Sequence, residues 1–420
     1  MFLSSALLSA VLLAAPPPSP ASCQGPLGRA AVVACALAEH PSVRAAEAGR
    51  EAAQGRKLGA RTLLPSNPQV EVTAARRVGL WTGDRDINVY GRVSQELEIA
   101  GQRRKRMALA DAEVAQAERL VELSRRDVAA AALSAYYEWI AAREQRAMIE
   151  RIARTADTLV DLARTSERTG LGSGLNADVV VATSVRVRRQ QIEAERRIAA
   201  ARAVLAGLLG RDGAGLEVAG ELTPLALPDD LARLLATALT RRAEIELAKA
   251  EREVFVRQIE VYRRLRAPNP SVVLYAQRDG FAEQVLGGGL AFPIVLPAPL
   301  GRTYKGEIAE SKALVRRAEA EVERWRRVVQ AEVEVALREV EARKAELELF
   351  EAERLQRAEG HLEALAQEMA TGRVSIRDAV VLQQTLLEYL AAHIEARRAL
   401  ALGSVELARV IGLLPEGAQP

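Results

Sequence analysis

Between Asp86 and Leu123 the hydrophobic period changes, and that change limits what the chain can become. The odd positions Ile87, Val89, Gly91, Val93, Gln95, Leu97 and Ile99 are mostly apolar, whereas the even ones, Asn88, Tyr90, Arg92, Ser94, Glu96 and Glu98, are polar. That alternation predicts a strand with one apolar and one polar face. After Gly101-Gln102 and the basic run Arg103-Arg104-Lys105-Arg106, apolar or small residues recur every seventh position: Met107, Val114, Val121, Val128, Ala135, Ala142, Ile149 and Ala156. A seven-residue repeat sustained over that distance predicts a long, supercoiling helix. Some 65 helical residues rise about 100 Å. A chain that runs from a two-faced strand straight into such a helix suits a β-barrel mounted on a helical tube better than a soluble enzyme.

The chain is one half written twice. Leu37 and Leu239, Asn67-Pro68 and Asn269-Pro270, Gly170 and Gly372, Ser173 and Ser375, and Gly210 and Gly412 each stand 202 positions apart. In the long helix the offset is 201, Met107, Val114, Val121, Val128 and Ala135 being answered by Ile308, Val315, Val322, Val329 and Ala336. This duplicates a whole architecture rather than a short solenoid period. The predicted division is a signal peptide at 1–22, a first repeat at 23–210, a linker at 211–227, a second repeat at 228–412 and a tail at 413–420.

Each repeat has four predicted pieces. In the first, a helix over 30–64 stops at Pro65-Ser66-Asn67-Pro68. Strands at about 69–78 and 86–99 form a hairpin across Gly83-Asp84. A helix over 102–167 then breaks at a glycine-rich tip, and a helix over 176–209 returns, ended by Gly210. In the second repeat the pieces are a helix over 228–265, strands at about 271–277 and 284–296, a helix over 302–370 and a return helix over 376–411. Two short helices end to end match one long one, so the wall has uniform height and the joins gather at mid-height as a belt.

Composition narrows the class. Hydrophobic residues make up 49% and aromatic residues 4% of the 420, a balance suited to extended helices. The formal net charge is +3, from 58 basic and 55 acidic residues, which argues against nucleic acid as a partner. The apolar stretch from Ala6 to Ala15, followed by prolines and small residues, reads as a secretory signal. An exported chain meets oxidising conditions, so Cys23 and Cys35 have three readings: lipidation of Cys23, a disulfide between them, or two buried thiols.

Four strands cannot close around a pore, and open edges in lipid leave unpaired backbone groups. Three chains supply twelve strands, a number within the range of membrane barrels. Trp81 and Phe281 fall near the hairpin tips, where aromatic girdles sit.

Leu64-Pro65-Ser66-Asn67-Pro68 before the first strand, Ser94-Gln95-Glu96-Leu97-Glu98 followed by Gly101-Gln102-Arg103, Phe292-Pro293 before Gly301-Arg302, and two Gly-x-x-Ser tips occur in an order that resembles the outer-membrane efflux ducts of the TolC family. The Gln-Glu-Leu-Glu and Gly-Gln-Arg pattern is most similar to its CzcC-like heavy-metal branch. The resemblance implies a mainly α chain with a membrane β-barrel part: a trimeric 12-stranded barrel on a periplasmic α-helical barrel. It implies a homotrimer in outer-membrane lipid that works with a periplasmic adaptor (membrane fusion) protein and an inner-membrane pump of the RND type. The expected function is a passive channel of a tripartite efflux system, with heavy-metal cations as cargo. Drug or small-molecule efflux and type I secretion are the alternatives, and a periplasmic coiled-coil scaffold or a trimeric adhesin are the rival classes.

The resemblance also nominates sites. The tips Gly170, Leu171, Gly172 and Ser173, and Gly372, Arg373, Val374 and Ser375, are expected to dock the adaptor. Asp378, with Asn176 and Asp178 at the corresponding place in the first repeat, is expected to face the lumen as a gate, although capping of the return helix accounts for Asp378 equally well. No catalytic residue, metal set or cofactor is expected. His40, His361 and His393 lack ligand spacing, and Glu395 with Arg398 reads as an ordinary surface pair.

Overall fold

A computed structural model describes residues 23–413 except 24, 82, 171, 172, 280–282, 298 and 372. The order of elements is α1 (Arg29–Glu39), α2 (Pro41–Ala60), β1 (Gln69–Val78), β2 (Arg85–Glu96), α3 (Gln102–Arg168), α4 (Gly174–Leu208), α5 (Leu231–Arg241), α6 (Ala243–Arg264), β3 (Ser271–Asp279), β4 (Glu283–Ala291), α7 (Lys305–Glu348), α8 (Ala352–Ala370) and α9 (Ile376–Val410). The helix, hairpin, long helix and return helix of one half recur in the other. The signal segment at 1–22 and the tail beyond Leu413 lie outside the described residues.

The heptad seam sets the packing. Val121, Val128, Ala135, Ala142, Ile149 and Ala156 are buried along α3, and Ile308, Val322, Val329 and Ala336 along α7. The 67-residue α3 is flanked by α2 and α4 of its own half and by α6 and α9 of the other. The small residues of the seam allow close approach at native packing density.

Three helices expected to be continuous are interrupted. The helix over 30–64 ends at Ala60 and is split at His40, whose extended backbone is imposed by Pro41. The helix over 228–265 is split at Arg242, also extended at φ −65° and ψ 119°. No proline follows there. Arg242 is held instead by one buried and one half-buried carboxylate, described below. The helix over 302–370 starts at Lys305 and is split between Glu348 and Ala352, where Phe350 turns toward Tyr389 and His393 of α9, with ring centroids 5.3 and 5.4 Å away. Periodicity cannot reveal a break that keeps the apolar phase.

Both return helices end alike. Gly210 and Gly412 take φ 61° and 73°, and the N–H groups of Arg211 and Leu413 donate to the carbonyls of Ala206 and Ala408 at 3.0 Å each. This is the glycine-terminated Schellman arrangement, repeated at an offset of 202.

The joins form a belt at mid-height. Leu27 bridges Val218 in parallel, its N–H donating to Glu217 O and its carbonyl accepting from Ala219 N, both at 2.9 Å. Tyr136 and Tyr137 of α3 donate their hydroxyls to the carbonyls of Ala219 (2.8 Å) and Thr223 (2.6 Å), and Arg143 donates to those of Val218 and Gly220. The largest buried cluster, with Val32, Leu133, Ile140, Leu205, Leu209, Leu216 and Val405, surrounds this contact. Cys23 and Cys35 lie in it and are joined by a disulfide.

Candidate functional site

The four strands form one antiparallel sheet in the order β1-β2-β3-β4. Its register aligns Val70 with Val93 and Leu274, Val72 with Gly91 and Ala276, Ala74 with Val89, and Leu286 and Leu290 with Ala276 and Val272. Paired residues share a face, so these positions form one apolar surface. It is bare: Val72 is 71% and Leu286 83% exposed. The opposite surface carries Glu71, Thr73, Arg77, Asp86, Asn88, Tyr90, Arg92, Ser94 and Gln277. An apolar band outside and a polar lining inside are the two faces of a membrane barrel wall. Trp81 projects fully exposed at the first hairpin tip, whereas Phe281 lies outside the described residues. The strands expected to reach 99 and 296 leave the ladder at Glu96 and Ala291. In β4 the reason is local, since Pro293 has no N–H to continue the pairing.

The sheet is fastened to the helices by the residues that suggested the heavy-metal branch. Gln95 donates to Ser66 O (2.9 Å), Asn269 to Glu96 (2.8 Å) and Gln102 to Asn269 (2.7 Å), while Glu98 pairs with Arg106. Arg103 donates twice to the carbonyl of Arg61 (3.1 and 3.0 Å), and Arg106 to those of Ala60 and Thr62 (3.4 and 3.2 Å). These carbonyls at the end of α2 have no helical partner, and the two arginines satisfy them. Lys105 reaches Glu260 of α6 at 2.7 Å. The basic run therefore works chiefly as a joint, and Arg104 is its exposed member.

A buried ionic cluster at mid-height was not legible in the sequence. Arg126 of α3 and Arg242 both grip Glu244, Arg126 at 2.6 and 2.7 Å and Arg242 at 2.7 and 3.2 Å. Arg242 also donates to Glu332 of α7 (2.5 Å) and to Val410 O at the end of α9 (2.8 Å). Burial pushes the Glu244 carboxyl upward, but hydrogen bonds from the two guanidiniums and their charges outweigh it and hold the group at about 2. Glu244 ties α6 to α3, and Arg242 extends the cluster to α7 and α9. At the height of the belt, Arg398 pairs with Glu395, as its (i, i+3) spacing suggests, and also with Glu138 on α3. These residues line a groove of about 1080 Å³ between α3, α4 and α9, floored by Ala131, Ala135 and Ala142.

At the tips Gly170 takes φ 74° and closes the end of α3. Leu171, Gly172 and Gly372 lie outside the described residues. Ser173 and Arg373 are exposed and Val374 is half-buried. Val374 packs against a cluster with Leu159, Ala163, Val180 and Leu365, a reason for its partial burial that the sequence did not disclose. Ser375 caps α9: its Oγ accepts from the Asp378 N–H at 3.2 Å and lies 2.6 Å from the Asp378 carboxylate. Asp378 and Asp178 are exposed, and Asn176 lies in the first turn of α4. Among the described residues no group of three His, Cys, Asp or Glu side chains is placed to hold a metal ion.

A sheet with one bare apolar face and one polar face, continuing into a helical shaft of about 100 Å, is the architecture of outer-membrane channels with a periplasmic extension. Residues 32–211, covering most of the first repeat and the first residue of the linker, match the family described as outer membrane efflux protein, whose members are passive channels rather than enzymes. No curated protein matches the chain in sequence. Among solved structures, the chain is similar to CusC, described for the conformational changes accompanying folding and transmembrane channel formation, at 14% identity and a TM-score of 0.72, with 92% of each chain covered. It is similar to the outer membrane protein VceC of Vibrio cholerae at 18% identity and a TM-score of 0.70, covering 91% of this chain and 95% of that one. The CmeC outer membrane channel of Campylobacter jejuni aligns at 16% identity and a TM-score of 0.72, covering 93% and 86%.

Proposed function

We propose that the chain is the exit duct of a tripartite efflux system, a homotrimer whose twelve strands close in the outer membrane and whose helices meet a periplasmic adaptor. The observation that carries this is the sheet: its apolar face is continuous over four strands, while β1 and β4 each have one unpaired side. In lipid those edges must pair, and three copies supply a closed ring. The tips at 170–173 and 372–375 are the proposed adaptor contact, and an inner-membrane pump of the RND type the proposed source of energy. Asp378, with Asn176 and Asp178, is the proposed gate. The mature chain is proposed to begin after a signal at 1–22, with repeats at 23–210 and 228–412.

Heavy-metal cations are the proposed cargo. Support comes from the Gln-Glu-Leu-Glu and Gly-Gln-Arg resemblance alone, and in the structure those residues fasten sheet to helix. Any choice among cargos then belongs to the pump, and the duct conducts what it is given. A strain lacking the chain should lose resistance to divalent transition-metal salts while keeping resistance to dyes and antibiotics. Loss confined to organic drugs would reject the metal reading and keep the duct.

A further inference from the structure

We propose that Cys23 is a cross-linking residue and not an attachment point for lipid, and that the N-terminal segment it holds is a clip that closes the mid-height belt. Cys23 is 2% exposed and disulfide-bonded to Cys35, itself inside α1 and fully buried. Its carbonyl accepts from the Arg211 guanidinium at 2.5 Å, at the start of the linker between the halves. Four residues on, Leu27 makes its two backbone bonds to the far side of the same linker. Cys23 and Leu27 thus hold the linker at Arg211 and at Glu217 and Ala219.

Distance separates this place from the bilayer. Cys23 belongs to the cluster around Tyr136, which stands 34 residues along α3 from Gln102, the residue next to the sheet. At the helical rise that is about 50 Å. One leaflet of hydrocarbon is about 15 Å deep, the length an acyl chain spans. A lipid on the Cys23 sulfur would end in the helical shaft, far from any membrane.

The bond forms by thiol oxidation. Two thiols join as one disulfide, and their two electrons and two protons pass to an oxidised dithiol-disulfide protein of the periplasm, whose own disulfide opens to two thiols. Closing the clip therefore requires an oxidising compartment, and reduced chains should carry an open belt.

The test uses the full-length protein extracted from the outer membrane. Intact mass after iodoacetamide treatment should show no alkylation before reduction and two additions after it. An acyl mass on Cys23, or alkylation without reduction, overturns the proposal. The clip is read separately by limited trypsin cleavage at Arg29. Cleavage should run at least about tenfold faster in the Cys23→Ser/Cys35→Ser chain. Should that variant fail to accumulate, wild-type trimer reduced in detergent gives the same reading, and equal rates with and without the disulfide overturn the clip.

Discussion

His40 and Arg242, 202 positions apart, break the ascending helix of each repeat at the same place, with nearly equal backbone angles (φ −66°, ψ 129° and φ −65°, ψ 119°). The means differ. In the first repeat Pro41 excludes helical geometry from the residue before it, and the His40 imidazole accepts from the Ser42 N–H at 3.2 Å. In the second, Arg242 has been drawn inward to 1% exposure, where it grips Glu244 and Glu332 and caps α9. One half uses a covalent constraint for a bend that the other holds with buried charge.

Removing Glu244 tests that buried charge. Glu244→Gln leaves Arg126 and Arg242 facing each other in the interior, and breaking one side of such a cluster costs about 3 to 5 kcal/mol. Thermal unfolding in detergent should shift down strongly, whereas Glu395→Gln on the surface should cost under about 1 kcal/mol. Similar small shifts for both would mean the cluster is solvated.

Acid should act through the same carboxylate. Its pKa is lowered from 4.5 to about 2, so its contribution to stability is complete above about pH 4.5 and is lost as pH falls toward 2. The linkage amounts to about 3 kcal/mol. Wild-type stability should fall through that window, and Glu244→Gln should show a flatter profile there. Parallel profiles would reject the assignment.

The hydrophobic code exposed much of this architecture and none of the cluster, for physical reasons. Alternation around Ile87–Val93 and the heptads from Val121 to Ala156 report which side of an element meets apolar matter, so the sheet face and the helix seam were readable. The breaks at Arg242 and Phe350 were not, because each depends on partners 90 or about 40 residues away: Glu332 for the first, Tyr389 and His393 for the second. Arg126 and Glu244 look like any surface pair of a helical protein until the fold brings them together. The Gln-Glu-Leu-Glu motif could be seen but its work could not, since Asn269, Arg61 and Ser66 come from three other segments.

Side-chain direction in the sheet can be checked by paired substitutions. Leu274 lies on the bare apolar face opposite Val93 and Gly288, and Thr73 on the polar face opposite Tyr90. Leu274→Arg should cost about 2 to 4 kcal/mol of stability in lipid vesicles if the residue sits near the bilayer midplane, and Thr73→Arg much less. Equal costs would mean that the faces are assigned the wrong way or that the sheet is not in lipid.

The belt contact depends on a residue without a side chain. Gly220 has φ 125°, and a Cβ there would stand 2.1 Å from the Tyr136 hydroxyl oxygen that donates to Ala219 O. Gly220→Ala combines backbone strain with loss of that hydrogen bond, for about 2 to 4 kcal/mol. Tyr136→Phe removes only the hydroxyl and should cost about 1 kcal/mol. A neutral Gly220→Ala would show the belt to be loosely seated on α3.

Asp378 has two readings that one substitution separates. Its N–H donates to Ser375 Oγ at 3.2 Å, and the same hydroxyl donates to its carboxylate at 2.6 Å, so the N-cap serine and the first-turn carboxylate are tied together. Asp378 remains exposed, and three copies around a threefold axis would bring three carboxylates toward a narrow lumen. Asp378→Asn keeps a hydrogen-bonding side chain while removing the charge, so a role as a cap alone predicts a change of a few tenths of a kcal/mol to about 1. Ser375→Ala removes the cap and should cost about 1 kcal/mol with the carboxylate still in place. Single-channel recording in planar bilayers then reads the gate: Asp378→Asn should weaken block by multivalent cations and lower cation selectivity, while Ser375→Ala leaves both unchanged. If Asp378→Asn alters thermal stability and leaves block and selectivity as they were, the residue is a cap and the gate lies elsewhere.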